Sequence, residues 1–191
     1  MSSCVIALIA EDKTDCDTVR KIIHRVLGTN TKTKPWASNG CGKLKRKLPA
    51  KLKALSNEGC NAFVVIHDLD RNPQNNSLND EKKLRKMLEV ASSEVEVIRR
   101  HICIPIEELE AWFWSDPDVV KYVGRDKGEA KANPHLIKKP KEKLIELSIG
   151  ENRKPRYSTN MNVDLAEMLN LELCSDRCPS FKDLLNFLQS L

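Results

Sequence analysis

Several features are missing from this chain of 191 residues, and each absence removes a class of function. No apolar run approaches the roughly 20 residues that a membrane-crossing helix needs, so no membrane partner is expected. No GxxxxGK[ST] stretch occurs. The nearest approach, Gly40-Cys41-Gly42-Lys43, lacks the strand–loop–helix spacing of a P-loop and offers at most a phosphate contact. Asp68-Leu69-Asp70-Arg71-Asn72 opens like an EF-hand loop and then fails. Pro73 stands where the turn glycine belongs, and Asn79 where the bidentate glutamate belongs. The seven cysteines are odd in number and irregular in spacing, so they make no disulfide framework. With no signal-peptide pattern, a reducing cytoplasm is expected. Cys174-x3-Cys178 has no second pair nearby to complete a zinc site, and His24, His101 and His135 add no zinc spacing. There is no internal repeat.

What is present is a set of acids where strands should end. Glu11-Asp12 follows the apolar run Val5 to Ala10, and Asp68-Leu69-Asp70 follows Phe63 to Ile66. A third cluster, Glu107-Glu108-Leu109-Glu110, opens a Trp-rich segment. Carboxylates at the carboxyl ends of parallel strands converge on one crevice. They repel one another there unless something positive sits among them, and hard oxygen ligands suit Mg²⁺ or Mn²⁺.

The first 104 residues alternate strand and helix signals. Strands are expected at Cys4 to Ala10, Thr31 to Trp36, Ala62 to His67 and Glu94 to Ile104. The intervening helices are a first one capped by Thr14 or Asp15 and stopped at Gly28, and Lys43 to Leu55, kinked or interrupted by Pro49. The last of them is Leu78 to Val90, with Leu84, Met87 and Leu88 inward. This order implies an α/β fold with a parallel sheet between helices, spanning residues 1–104. Residues 105–191 carry little strand signal. They are expected to form a C-terminal helical annex, with helices at Ile106 to Trp114, Pro117 to Val123, Lys141 to Leu147, Leu165 to Leu169 and Phe181 to Leu188. Polar loops separate them at Arg125 to Pro140 and Gly150 to Asn162. As an α-helix, 106–114 would put Ile106, Leu109, Trp112 and Phe113 on one apolar side, facing Phe181, Leu184, Leu185 and Leu188. Glu107 would then be solvated, and Glu108 and Glu110 would flank the buried stripe. Trp112 and Trp114 read as packing residues.

The net charge of +5 permits a nucleic-acid partner without requiring one. Its distribution says more. Lys43, Lys45, Arg46 and Lys47 continue through Lys51 and Lys53 with no acid among them. Such a stripe suits phosphates held by cations while a metal serves the reacting phosphate. Glu11, Asp68, Asp70 and Glu108 are the candidate metal ligands, with Glu110 and Lys141 as further catalytic candidates. His67 is expected to point away from Asp68 as a satisfied buried histidine.

The motifs resemble a Toprim domain, the fold of topoisomerases, primases and OLD-family nucleases. The matching residues are Glu11 after the first strand and Asp68-Leu69-Asp70 after the third. The chain is more closely similar to the Toprim-like DUF4276 family of small bacterial proteins. The likeness lies in Glu107-Glu108-Leu109-Glu110-Ala111-Trp112-Phe113-Trp114-Ser115-Asp116-Pro117, Lys139-Pro140-Lys141 and Cys178-Pro179-Ser180-Phe181, and covers most of the chain. The family's two glutamates fall on Glu108 and Glu110. Asp12 stands where a glycine usually follows the first glutamate, Glu107 where a histidine is usual, and Tyr157 alone represents a late tyrosine–lysine pattern.

The resemblance implies a Mg²⁺- or Mn²⁺-dependent nuclease, a hydrolase of DNA or RNA, in antiviral or mobile-element defence beside an ATPase partner. A homodimer is left open. The alternative is a non-catalytic Toprim-like binding or regulatory subunit of an ATPase-containing complex, motivated by the missing glycine and lysine. A phosphate-transfer receiver domain also gathers acids at strand ends, but the Asp-x-Asp pair and the Glu-bearing helix fit it poorly.

Overall fold

β1 (Val5–Ala10) and β3 (Ala62–Ile66) are almost wholly apolar, and both lie at the centre of a four-stranded parallel sheet of order β2-β1-β3-β4. β2 (Lys32–Ala37) and β4 (Arg100–Cys103) are its edges. The computed structural model describes residues 4–93, 99–151 and 153–191, so the first half of the strand expected from Glu94 lies outside the described residues. Central strands must bury both faces, which is why their sequences are continuous apolar runs and not alternating ones. Ile6, Leu8, Ala10, Val64 and Ile66 face one hydrophobic cluster, and Ala7, Ile9, Phe63 and Val65 face the other.

α1 (Lys13–Leu27) covers the first face together with the C-terminal helices. Its cap is Asp12, whose carboxylate accepts the Asp15 N–H at 2.9 Å, and not Thr14 or Asp15. α2 (Cys41–Asn57) and α3 (Glu81–Ser92) cover the second face. α2 runs unbroken through Pro49, where the sequence suggests a kink or break. Leu44, Leu48, Leu52 and Leu55 all bury against the sheet, and that packing outweighs the ~3 kcal/mol that an interior proline costs a helix. In α3 the buried stripe is Leu84, Leu88 and Ser92. Met87 falls outside it and is 41% exposed, contrary to the inward position expected.

Beyond β4 the chain is helical. A 3₁₀ helix (Leu109–Ser115) is followed by α4 (Pro117–Gly124), α5 (Pro140–Leu147), α6 (Asn162–Met168), α7 (Leu171–Arg177) and α8 (Pro179–Gln189). α7 has no counterpart among the helices expected from sequence. Leu109, Trp112 and Phe113 join Phe181, Leu184 and Leu188 in the first-face cluster, as their patterns require. Trp112 meets Phe181 edge-on, with ring centroids 5.1 Å apart. Ile106 instead packs at the second-face cluster. The fold is thus a parallel α/β sheet flanked by helices, with a C-terminal helical extension. Among the described residues no helix is long and apolar enough to cross a membrane.

Candidate functional site

Because all four strands are parallel, their carboxyl ends lie along one edge of the sheet. The chain reverses direction across that edge between β1 and β3, which is where crevices open in such sheets. Glu11 leaves β1 there, and His67, Asp68 and Asp70 leave β3. The β3 loop is tied to the chain beyond β4 by the Leu69 N–H, which donates to the Pro105 carbonyl at 2.8 Å, and by a parallel bridge between Leu69 and Ile106. That tie delivers Glu107, Glu108 and Glu110 to the same edge.

The 107–115 segment departs from the expected α-helix. It is a 3₁₀ turn beginning at Leu109, all seven of its residues are buried, and Glu107 precedes it with φ of +66°. That backbone turns Glu107 inward, so it is buried and not solvated. Its Oε1 accepts Arg71 Nε, and its Oε2 accepts the Lys139 N–H at 3.4 Å. Arg71 also donates to the Asn76 carbonyl at 2.6 Å, so Arg71 and Glu107 together tie the loop after Asp70 to the start of α5. Trp112 and Trp114 are packing residues. Their indole N–H groups donate to Ser180 Oγ and the Pro140 carbonyl, each at 3.1 Å.

The carboxylates feel one another. Asp68 is held well above the usual carboxylate range by burial first, then by the charges of Asp15, Glu110, Glu11 and Glu108. Asp70 is raised by partial burial and by Glu11, with Glu108 adding to it and His67 and Lys45 opposing. Glu110 is raised by burial, while a hydrogen bond from Asn162 and one from its own backbone pull the other way. Asp15 is pushed up to about 8, by burial and then by Asp12, Glu110 and Glu11. Glu11, Asp68, Asp70, Glu108 and Glu110 therefore share one neighbourhood, and Lys141 enters it through Glu108. Lys45 reaches Asp70 electrostatically, whereas Lys43, Arg46 and Lys47 are exposed along α2.

His67 does not simply point away. It is buried, and its Nδ1 lies 2.8 Å from the Asp68 carbonyl and 3.0 Å from Glu11 Oε1. Both neighbours are acceptors, so the ring proton belongs on Nδ1. The Glu11 contact has ion-pair distance without hydrogen-bond alignment. Glu11 Oε1, Asp68 Oδ1 and His67 Nε2 are buried with no hydrogen-bond partner. Unpartnered buried carboxylate oxygens amid like charges are costly and call for a proton or a cation. Carboxylate oxygens are the ligands that hard divalent ions prefer. Among the described residues, however, no three His, Cys, Asp or Glu side chains are gathered into a group that could hold a metal ion.

Sequence reasoning misses Asp15 as a member of this neighbourhood. Its spacing is the available signal, since it lies one helical turn after Glu11 on a helix that begins at the same strand end. It also misses the pair Tyr157 and Asn162. The Tyr157 hydroxyl donates to Asn162 Oδ1 at 2.7 Å, and Asn162 Nδ2 donates to Glu110 Oε1 at 3.0 Å.

A parallel α/β protein with acidic side chains gathered at the carboxyl edge of its sheet, by its topological switch point, is the class that this geometry defines. A family model described as a domain of unknown function, DUF4276, matches residues 10–189, and the chain belongs to that family. No curated protein and no solved structure matches the chain.

Proposed function

We propose that this protein is a divalent-metal-dependent phosphodiester hydrolase of nucleic acid, on a Toprim-like fold related to that of OLD-family nucleases. The observation that carries this reading is the convergence of Glu11, Asp68, Asp70, Glu108 and Glu110 at one sheet edge, with Glu11 Oε1 and Asp68 Oδ1 unpartnered. Glu11, Asp68, Asp70 and Glu108 would hold Mg²⁺ or Mn²⁺, with Glu110 beside them. A bound divalent ion supplies Lewis-acid polarisation of a phosphate and a more acidic attacking water. Lys141 carries a firm positive charge next to Glu108, which can balance the charge of a phosphate brought to the crevice. Lys43, Lys45, Arg46 and Lys47 would hold the backbone, fixing position without reading sequence. Lys45 marks where this stripe meets the acids, because it acts on Asp70. A role in antiphage or mobile-element defence, with an ATPase partner, follows from the family resemblance.

The test is cleavage of labelled single- and double-stranded DNA and RNA by the isolated chain in Mg²⁺ or Mn²⁺. Cleavage that EDTA stops and Asp68→Asn abolishes, with the circular dichroism spectrum retained, is the expected result. Absence of cleavage on every substrate would overturn it. The second reading, a non-catalytic subunit of an ATPase complex, draws on the pairing of Lys141 with Glu108 and on the lack of a metal-ligating group among the described residues. Stable co-purification with an ATPase, and no cleavage by chain or complex, would favour it.

A further inference from the structure

We propose that Asn162, oriented by Tyr157, is a positioning residue that holds Glu110 among the acids at the sheet edge; this rests on the metal-dependent reading above. Tyr157, Asn162 and Glu110 are 2%, 0% and 5% exposed, so no solvent competes for their bonds. The order of donors is fixed by chemistry. Glu110 Oε1 is an acceptor for the Asn162 contact, so Asn162 must present its NH₂ there and its carbonyl to the other side. The Tyr157 hydroxyl is the donor on that other side, and it prevents the amide from turning over. Tyr157 is itself fixed at its backbone, where its N–H donates to Ser148 Oγ at 3.0 Å, just after α5.

Glu110 gains from this in a specific way. Its turn is buried, and Asp68 and Asp15 at the same edge repel it. One oxygen anchored by a neutral amide holds the carboxylate in place despite that repulsion, without cancelling its charge. A charged anchor would neutralise Glu110, and a hydrophobic one would let it swing away. Outer partners of this kind typically control metal affinity or turnover by about 10–100-fold. The same bonds explain why a polar asparagine is wholly buried where the C-terminal extension meets the sheet edge.

The experiment compares wild type with Tyr157→Phe, Asn162→Ala and the double variant. Mn²⁺ affinity is read by electron paramagnetic resonance, kcat and KM on a labelled oligonucleotide, and folding by urea denaturation. Tyr157→Phe removes one oxygen and keeps the ring, so it guards against simple unfolding. Expected are a rise in the Mn²⁺ Kd and a fall in kcat of ~10-fold in Tyr157→Phe, with KM for nucleic acid unchanged. The double variant should lose less than the sum of the two single losses, since the tyrosine bonds the asparagine that anchors Glu110. If Tyr157→Phe is less stable but matches wild type in Mn²⁺ affinity and kcat, the positioning role is overturned and the proposed function stands. A wild type that neither binds Mn²⁺ nor cleaves overturns both.

Discussion

Lys141 grips both oxygens of Glu108: its Nζ lies 2.5 Å from Oε1, and its backbone N–H donates to Oε2 at 3.1 Å. Burial works against the lysine charge, but the bond to Glu108 and the fields of Glu108, Glu110 and Glu142 outweigh it and hold the ammonium above its ordinary pKa. One lysine thereby joins the N-terminus of α5 to the acidic edge of the sheet. The Nζ contact is partly solvated, so its worth is below that of a fully buried pair. Lys141→Met should lower stability by about 1 kcal/mol at pH 8 in urea denaturation, and Lys141→Arg should keep most of it. Equal losses in the two variants would mean that charge is not what matters there.

Asp15 sets a pH dependence of unusual sign. Its folded pKa near 8 lies above the value near 4 of an unfolded aspartate, so between those limits the folded protein binds more protons than the unfolded chain. Its contribution is most favourable below about pH 4 and worsens as pH rises, by up to ~1.4 kcal/mol per pH unit for one proton, until it levels off above about 8. Asp68 is raised in the same direction. In EDTA, Asp15→Asn should flatten the fall in urea stability between pH 5 and 8 and make the protein more stable than wild type at pH 8. An unchanged slope would show that Asp15 titrates normally.

The parts of the site that sequence reveals are those where chain position alone fixes place. Val5 to Ala10 and Ala62 to Ile66 are apolar throughout because both faces are buried, and the acids that follow must emerge at the carboxyl edge. Asp68 and Glu11 can be located on that ground. The 107–115 turn cannot, because all seven residues of its 3₁₀ helix are buried and no polar phase distinguishes 3₁₀ from α. The misplacing of Glu107 in solvent is a consequence. Asp12, Thr14 and Asp15 can each cap a helix, and only the place where β1 stops decides among them. Asn162 sits in a stretch whose composition reads as solvated loop. Its burial comes from Glu110, 52 residues away, and no local pattern carries that.

The contact between Trp112 and Phe181 joins the C-terminal helix to the turn that bears Glu110. Both rings are almost fully buried. Phe181→Ala should cost about 3–5 kcal/mol in urea denaturation, through the transfer energy of the ring and the cavity left behind. Glu110 is two residues from Trp112, so the loosened turn should also weaken any divalent-ion binding by the folded fraction. A cost under ~1 kcal/mol would mean that the extension packs on the sheet by other contacts.

Lys45 and Lys47 separate two roles within the basic stripe. Both would contact phosphate under the proposed function, but Lys45 is half-buried and acts on Asp70, whereas Lys47 is exposed further along α2. Removing one cation from a phosphate should reduce the slope of log affinity against log salt by about 1. Lys47→Gln should therefore weaken oligonucleotide binding and its salt dependence, and leave kcat at saturating substrate unchanged. Lys45→Gln should do the same and also lower kcat, because it removes a positive charge that opposes the raised pKa of Asp70. Binding by fluorescence anisotropy at several salt concentrations, with single-turnover cleavage, separates the two. Identical behaviour of the two variants would make the stripe a uniform electrostatic surface with no privileged end at the acids.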